Sequence, residues 1–465
     1  MAGLYFLALA LLTATAFVLA RQRASALAGG RGREALHSLP IYHGMLVASG
    51  ILAVMLLIFI FGAPLVSHLA HSNAVAQLPP DVVADNLKST IAFREIFKIA
   101  SGEPAGPVAT DAIRNAAEAY RSTSVSGHWA LLATGIAAGL GMVAFGTSRI
   151  TRSFRARNRF ETFVKVVLVL CAAIAILTTL GIVLSVLTET YRFFFDPTLK
   201  GKPTVLGFLF GTEWNPQAAM RADQGDIQSS FGFLPLLTGT LLITAIAIAV
   251  AGPLGLFSAI YLAEYATPKI RAFAKPILEI LAGIPTVVLG FFAALTVAPL
   301  IRGSGEWLGL DVASESALAA GLVMGMMIIP FISSLSDDVI NAVPQSLRDG
   351  AYALGATKSE TIRRVVLPAA LPGIVSAFML AISRAIGETM IVVMAAGLAA
   401  NLTANPLEAV TTITVQIKTI LVGDQEFDSA KTLAAFALGL VLFFVTLALN
   451  FIALRIVQRY REQYD

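Results

Sequence analysis

The residues best placed to do chemistry in this chain sit where charge is least expected. The stretch MLAISRAIGETMIVVM, residues 379–394, is apolar enough to cross a membrane, yet it holds Arg384 and Glu388 four positions apart. On one continuous helix an i,i+4 pair shares a face. If the span begins near residue 368, Arg384 lies about 24 Å along it. A charge at such depth costs at least about 2.5–3.5 kcal/mol on insertion scales, so both groups must face protein, water or another charge. Two readings compete. In one, the pair neutralises itself and locks helix packing. However, Arg before Glu is the weaker order along a helix, and a buried ion pair is weak support for stability. In the other, the pair lines a translocation path. The planar guanidinium fork matches phosphate-type oxygens. Glu388 compensates it when the path is empty and repels an anion that sits too tightly. Intramembrane charges are functional by default, which favours the path.

Other chemistries find little support. All five histidines precede residue 130. His68 and His71 have a spacing compatible with a metal, but a site needs three or four ligands, so a polar span end is the better reading and no metal or cofactor is expected. Cys171 is the only cysteine and reads as inert packing. The only Gly-Lys pair, Gly201-Lys202, is followed by Pro203, so the chain has no phosphate-cradling loop of its own. No catalytic constellation stands out, and neither an enzyme nor a nucleic-acid binder is expected. Glu279 near a span end reads as a snorkelling or capping group, Asn450 as an interhelical hydrogen-bond former, and MGMMII (324–329) as packing.

The elements that must hold Arg384 and Glu388 are membrane helices. The chain has 465 residues, 57% hydrophobic and 13% charged. A spanning helix needs about 20 mostly apolar residues, and nine windows qualify: 2–20, 43–69, 129–148, 166–188, 232–262, 278–301, 316–335, 368–398 and 432–454. The runs are continuous rather than alternating, so the fold class is all-α, polytopic. Pro253 and Pro285 should kink or break their helices. Lys and Arg concentrate on the cytoplasmic side. With the amino terminus outside and the carboxyl terminus inside, the inner segments hold 20 basic residues and the longer outer segments 12. The strongest vote is RITRSFRARNRF (149–160), with five arginines. Residues 1–20 lack a basic n-region, which favours an uncleaved span over a signal peptide. Residues 1–160 read as a three-span part with a polar extracytoplasmic segment at 70–128, and 161–465 as a six-span part.

The most informative connection is the inner loop 336–367, SDDVINAVPQSLRDGAYALGATKSETIRRVVL. It reads as two short helices. The first runs from about Pro344 to Leu354 and stops at Gly355, which suits the left-handed stop. Thr357 with Glu360 predicts a capping box for the second. Pro368 and Pro372 mark re-entry into the membrane. The succession Asp349-Gly350-Ala351, Gly355, then Val365-x-Leu367-Pro368 resembles the EAA…G…I-x-LP loop of binding-protein-dependent ABC importer permeases. Asp, Gly and Val here replace that pattern's Glu, Ala and Ile. Residues 231–266, ILEILAGIPTVVLGFFA (277–293) and SRAIGETMIVVMAAG (383–397) are similar to phosphate-specific transport permeases. TEWNP at 212–216 points to the PstC-type subunit. The likeness covers roughly 160–460, with the first three spans as an extension.

The resemblance implies a type I ABC importer permease core in a bacterial inner membrane. It implies coupling to ATPases through Asp349, Gly350, Ala351, Gly355, Leu367 and Pro368, and a transport role for Arg384 and Glu388. Implied partners are a PstA-like second permease, two PstB-like ATPases and a periplasmic PstS-like phosphate-binding protein, with 189–231, including Trp214 and Asn215, as docking surface. The expected function is a permease subunit for inorganic phosphate. The alternatives are another oxyanion such as molybdate or sulfate, a stand-alone ion-coupled carrier, and a signalling contribution from the extension.

Overall fold

The computed structural model describes residues 2–28, 36–104, 106, 109–199, 202–216, 231–422 and 429–460. Among them nine helices are long and apolar enough to cross a membrane. A chain in lipid must satisfy its backbone internally, and helices do so within one segment. The only bridge between extended residues joins Trp214 and Phe231. Cα packing divides the chain into two compact units, Met1–Leu177 and Thr178–Asp465.

In the first unit, helices Ala2–Ala28, Pro40–Val75 and Asp111–Ser148 pack side by side. The Tyr5 hydroxyl donates to the Met55 carbonyl at 2.8 Å. The segment 70–128, expected as a separate extracytoplasmic element, is largely helical. It comprises the ends of two long helices and an amphipathic helix, Asn86–Ala100, whose Ala92 and Ile96 pack on Ile113, Ala116 and Ala117. Thr110 starts the third long helix by accepting from the Ile113 amide. His71 stacks on Phe93 at 4.2 Å.

The second unit is built around Ala317–Ala342, the most buried of the spans. Its main neighbour is Leu234–Ile260, which runs on through a wide π turn at Tyr261–Tyr265. Small residues let the two backbones approach. A Cβ on Gly325 would stand 3.0 Å from the Ala247 carbonyl, and one on Gly255 would meet Ile332. Met324, Met327, Ile328 and Ile332 fill the contact, so the methionine-rich stretch is packing.

Several boundaries differ from the sequence reading. The span expected at 368–398 is two helices: Leu367–Ile386, fused upstream to Lys358–Thr361, and the short Met390–Ala395. The span expected at 278–301 begins after a break at Gly283–Pro285. Residues 268–282 form a separate amphipathic helix, with a second one from Thr286 onward. The inner loop shrinks because Ala317–Ala342 runs through its first seven residues. Pro285 does sit at a helix break, whereas Pro253 lies inside an unbroken helix. Pro299 and Pro368 each follow a π turn, at Ala293–Val297 and Ile362–Val366. A proline ring inside a helix clashes with the carbonyl four residues back, and a locally wider turn relieves it.

The tight helix crossing makes a stability prediction. Gly325→Val should force the two helices apart and cost about 1–3 kcal/mol. Gly350→Ala, which meets nothing within 4 Å, should be neutral or stabilise by up to about 1 kcal/mol. Thermal unfolding of the purified full chain checks both signs.

Candidate functional site

Arg384 lies in the last turn of Leu367–Ile386 and is exposed. Its guanidinium carbon stands 5.6 Å from the centre of the Phe331 ring, on the central helix. The helix stops at Gly387, so Glu388 does not continue the face that carries Arg384. Its Oε1 instead accepts from the Met390 amide at 3.0 Å and the Ile391 amide at 3.4 Å. Glu388 thus caps the next helix, where a carboxylate also meets the positive end of the helix dipole. Thr414 holds the same break by donating from Oγ1 to the Glu388 carbonyl at 3.0 Å.

The expected i,i+4 ion pair is therefore absent among the described residues. The spacing argument assumed a continuous helix, and Gly387 ends it. One consequence is chemical. Arg384 pairs with no carboxylate among the described residues; a π face beneath it attracts a cation while leaving its N–H fork available. Sequence reasoning also missed three hydroxyls: Ser333 and Ser336 on the central helix and Ser383, next to Arg384 in the chain, have buried Oγ atoms with no hydrogen-bond partner among the described residues. Unpaired serines in an apolar run were the available signal.

The second cluster is the knob between the central helix and Lys358–Thr361. Its helix is Gln345–Ala353, close to the expected one. Gly355 has φ +85° and ends it in the left-handed conformation. The capping box at Thr357 and Glu360 is present, with the Thr357 amide donating to Glu360 at 2.9 Å. Asp349 and Gly350 are exposed, and Asp349 accepts from Gln345 Nε2 at 3.0 Å. Leu354, at 91% exposed, projects an apolar side chain from the knob. Ala351 is buried beneath it. Leu367 and Pro368 lie in the long helix below, where Leu367 packs near Ala259, Ile340 and Val343.

What fastens the knob was not read from the sequence. Arg348 is buried and pairs with Glu264 at 3.0 Å. It also donates to the carbonyls of Val343 at 2.6 Å and Ile340 at 2.8 Å. Those are carbonyls of the central helix's last turn and its cap, where the regular i→i+4 ladder ends; the Ile340 carbonyl also accepts from the Val343 amide at 3.4 Å. One arginine thus ties the knob, the end of the central helix and the π turn after Leu234–Ile260. Nearby, buried Asp337 accepts from Arg271 at 2.9 Å and Lys275 at 3.0 Å. These bonds clamp Pro268–Ala282 to the central helix. Lys275 also donates to Asp338 at 2.7 Å, and that bond holds its ammonium above the usual lysine range.

Trp214, expected on a docking surface, is buried instead. Its Nε1 donates to Gln416 at 3.0 Å, and its ring packs edge-on against Phe231. Asn215 beside it is exposed. Residues 200–201 and 217–230 of that segment lie outside the described residues. Asn450 and Glu279 make no side-chain hydrogen bond among the described residues, and Cys171 is exposed rather than packed.

Comparison with known proteins adds five findings. A family model described as "Phosphate ATP-binding cassette transporter" matches residues 6–178. One described as "Binding-protein-dependent transport system inner membrane component" matches residues 251–462. The chain is 31% identical over 299 residues to the probable ABC transporter permease protein YqgH of Bacillus subtilis, covering 64% of this chain and 90% of that protein. It is 33% identical over 279 residues to the phosphate transport system permease protein PstC 1 of Mycobacterium tuberculosis, covering 55% and 82%. Among solved structures, a bacterial ABC transporter involved in alginate import matches at a TM-score of 0.46 and 15% identity, covering 66% of this chain and 99% of that one.

The buried arginine makes the second prediction. Glu264→Ala leaves Arg348 buried without a counter-charge and should destabilise the chain by about 3–5 kcal/mol. The double variant Glu264→Leu/Arg348→Met should recover most of that loss. Denaturation of the single and double variants in the same detergent checks it.

Proposed function

The chain belongs to the PstC-type family of phosphate ABC transporter permeases, and from that premise we propose that it forms one half of the membrane path of an ATP-driven inorganic phosphate importer. The observation that carries the reading is the match over nine-tenths of a permease relative, joined to an exposed Arg384 that pairs with no carboxylate among the described residues. Its role is transport; ATP is hydrolysed by separate ATPase subunits. The remaining partners are a PstA-like second permease and a periplasmic phosphate-binding protein. We place the amino terminus in the periplasm and the carboxyl terminus in the cytoplasm on the distribution of basic residues. On the same reading, 1–160 is an extension and 161–465 is the permease domain.

The two clusters suggest how ATP-driven motion meets the anion. Asp349, Gly350 and Leu354 would sit in a groove of the ATPase, with Gly355 and the capping box fixing the knob's shape. Because Arg348 fastens that knob to two span ends at once, a pull on it moves the spans rather than bending the loop. The central helix transmits the shift to Phe331, on which Arg384 rests. Arg384 takes up phosphate oxygens through its planar fork. Glu388, fixed as a cap, keeps a negative charge near the path that discourages tight retention. Leu367 and Pro368 act at the base of the long helix. No covalent chemistry is required of this chain.

Removal of the fork tests the path. Arg384→Gln should lower radiolabelled phosphate uptake by about 10- to 100-fold, the loss expected for charge-assisted hydrogen bonds. Assembly and ATP hydrolysis should persist. Glu388→Gln, which keeps an oxygen for the Met390 amide, separates charge from capping; Glu388→Ala should lose about 1 kcal/mol of helix stability as well. Wild-type uptake in Arg384→Gln would exclude Arg384 from the path, and equal competition by molybdate or sulfate would change the assigned anion.

A further inference from the structure

The amino-terminal unit contains a cavity of about 360 Å³ that the transport reading does not use. It lies between the start of Pro40–Val75, the end of Asp111–Ser148 and the turn into the next helix. Most of its wall is apolar, including Leu46, Met142, Ile150 and Phe163. Four polar side chains border it: Ser49, which donates to the Leu46 carbonyl at 3.0 Å, and three that could serve as donors to a ligand, His43, Arg149 and Arg159. His43 is 1% exposed; the Ser38 backbone approaches its ring, but neither ring nitrogen makes a well-formed hydrogen bond among the described residues. Buried polar atoms are normally satisfied, so an orphan of this kind requires an explanation.

The arginines have capacity to spare. Arg149 rests over Phe145 at 5.2 Å and Arg159 over Phe154 at 4.8 Å. Neither has an acidic partner among the described residues. Phe154 also contacts the His43 ring, at 5.7 Å, so one aromatic ring sets two of the three donors. Neighbouring arginines are committed elsewhere: Arg157 pairs with Glu161, and Arg152 donates to the Leu27 carbonyl at 3.2 Å. The cavity therefore combines two exposed guanidinium groups without an acidic partner among the described residues and a buried imidazole set in its apolar wall. Guanidinium forks suit phosphate oxygens, and basic pockets between membrane helices suit lipid headgroups. An apolar wall behind such donors matches acyl chain better than a free ion.

We propose that this cavity binds the phosphate group of an anionic phospholipid, with Arg149, Arg159 and His43 as its donors. The site is independent of the translocation path.

The test uses the purified full chain carrying Arg384→Gln, so that the path does not contribute phosphate binding. Protein loaded with phosphatidylglycerol is washed in neutral detergent, and retained lipid is counted by mass spectrometry. Arg149→Gln and Arg159→Gln should each weaken retention about fivefold, and His43→Phe, which keeps a ring against Phe154, should weaken it too. Arg155→Gln removes the same charge outside the cavity and should retain lipid normally. A second arm measures inorganic phosphate binding in the same proteins. Lipid retention lost in the cavity variants alone supports the proposal. Phosphate binding lost in those variants, with lipid retention unchanged, overturns the lipid assignment. Equal losses with Arg155→Gln, or no loss in any variant, overturn the site.

Discussion

Backbone hydrogen bonding dominates this molecule. In an apolar surround each unpaired amide or carbonyl costs several kcal/mol, so a helix can stop only where something seals its ends. The structure seals its breaks with side chains. Glu388 takes the amides of Met390 and Ile391. Arg348 takes the carbonyls of Ile340 and Val343. Ser316 caps the central helix by accepting from the Ala319 amide. Two residues that look like charges for transport or docking are thus also structural seals. That dual demand accounts for a carboxylate at 388 although no cation among the described residues pairs with it.

The same economy links the knob to the spans. Arg348 has five N–H donors, and three of its nitrogens reach Glu264 and two carbonyls. A flexible connection would absorb an applied force, whereas a buried, multiply bonded arginine passes it to both helices it touches. Asp337 performs a parallel task for Pro268–Ala282, gathering two cations and an amide. Its exposure of 1% is tolerable because those donors replace water.

What could be read from the chain follows the range of the interaction. The all-helical class and the nine apolar runs are set by composition, and the stop at Gly355 and the box at Thr357 and Glu360 are set within a few residues. All were legible. The break at Gly387 was not, because glycine inside an apolar run reads as tolerated in a membrane helix. Its effect was large, since it dissolves the pairing that drew attention to Arg384. The end of the helix 268–282 was read into the following span because its last residues, LEILA (278–282), are largely apolar and only three residues separate the two helices. Arg348 and Glu264 lie 84 positions apart, and no local pattern joins them. Trp214 was expected on a docking surface through the resemblance alone, yet its partner Gln416 lies 202 positions away.

The wide turn at Ile362–Val366 has a geometric consequence for the residue that matters most. A π turn holds one more residue than an α turn, and one residue is about 100° of rotation about the axis. Every side chain downstream is therefore out of phase with a straight continuation of Lys358–Thr361. Arg384 is among them. Its compass bearing, toward Phe331 on the central helix, is inherited from a bulge that Pro368 accompanies some five turns earlier. The direction in which the molecule aims this cation is in this sense decided at the base of the helix, by a ring that carries no charge.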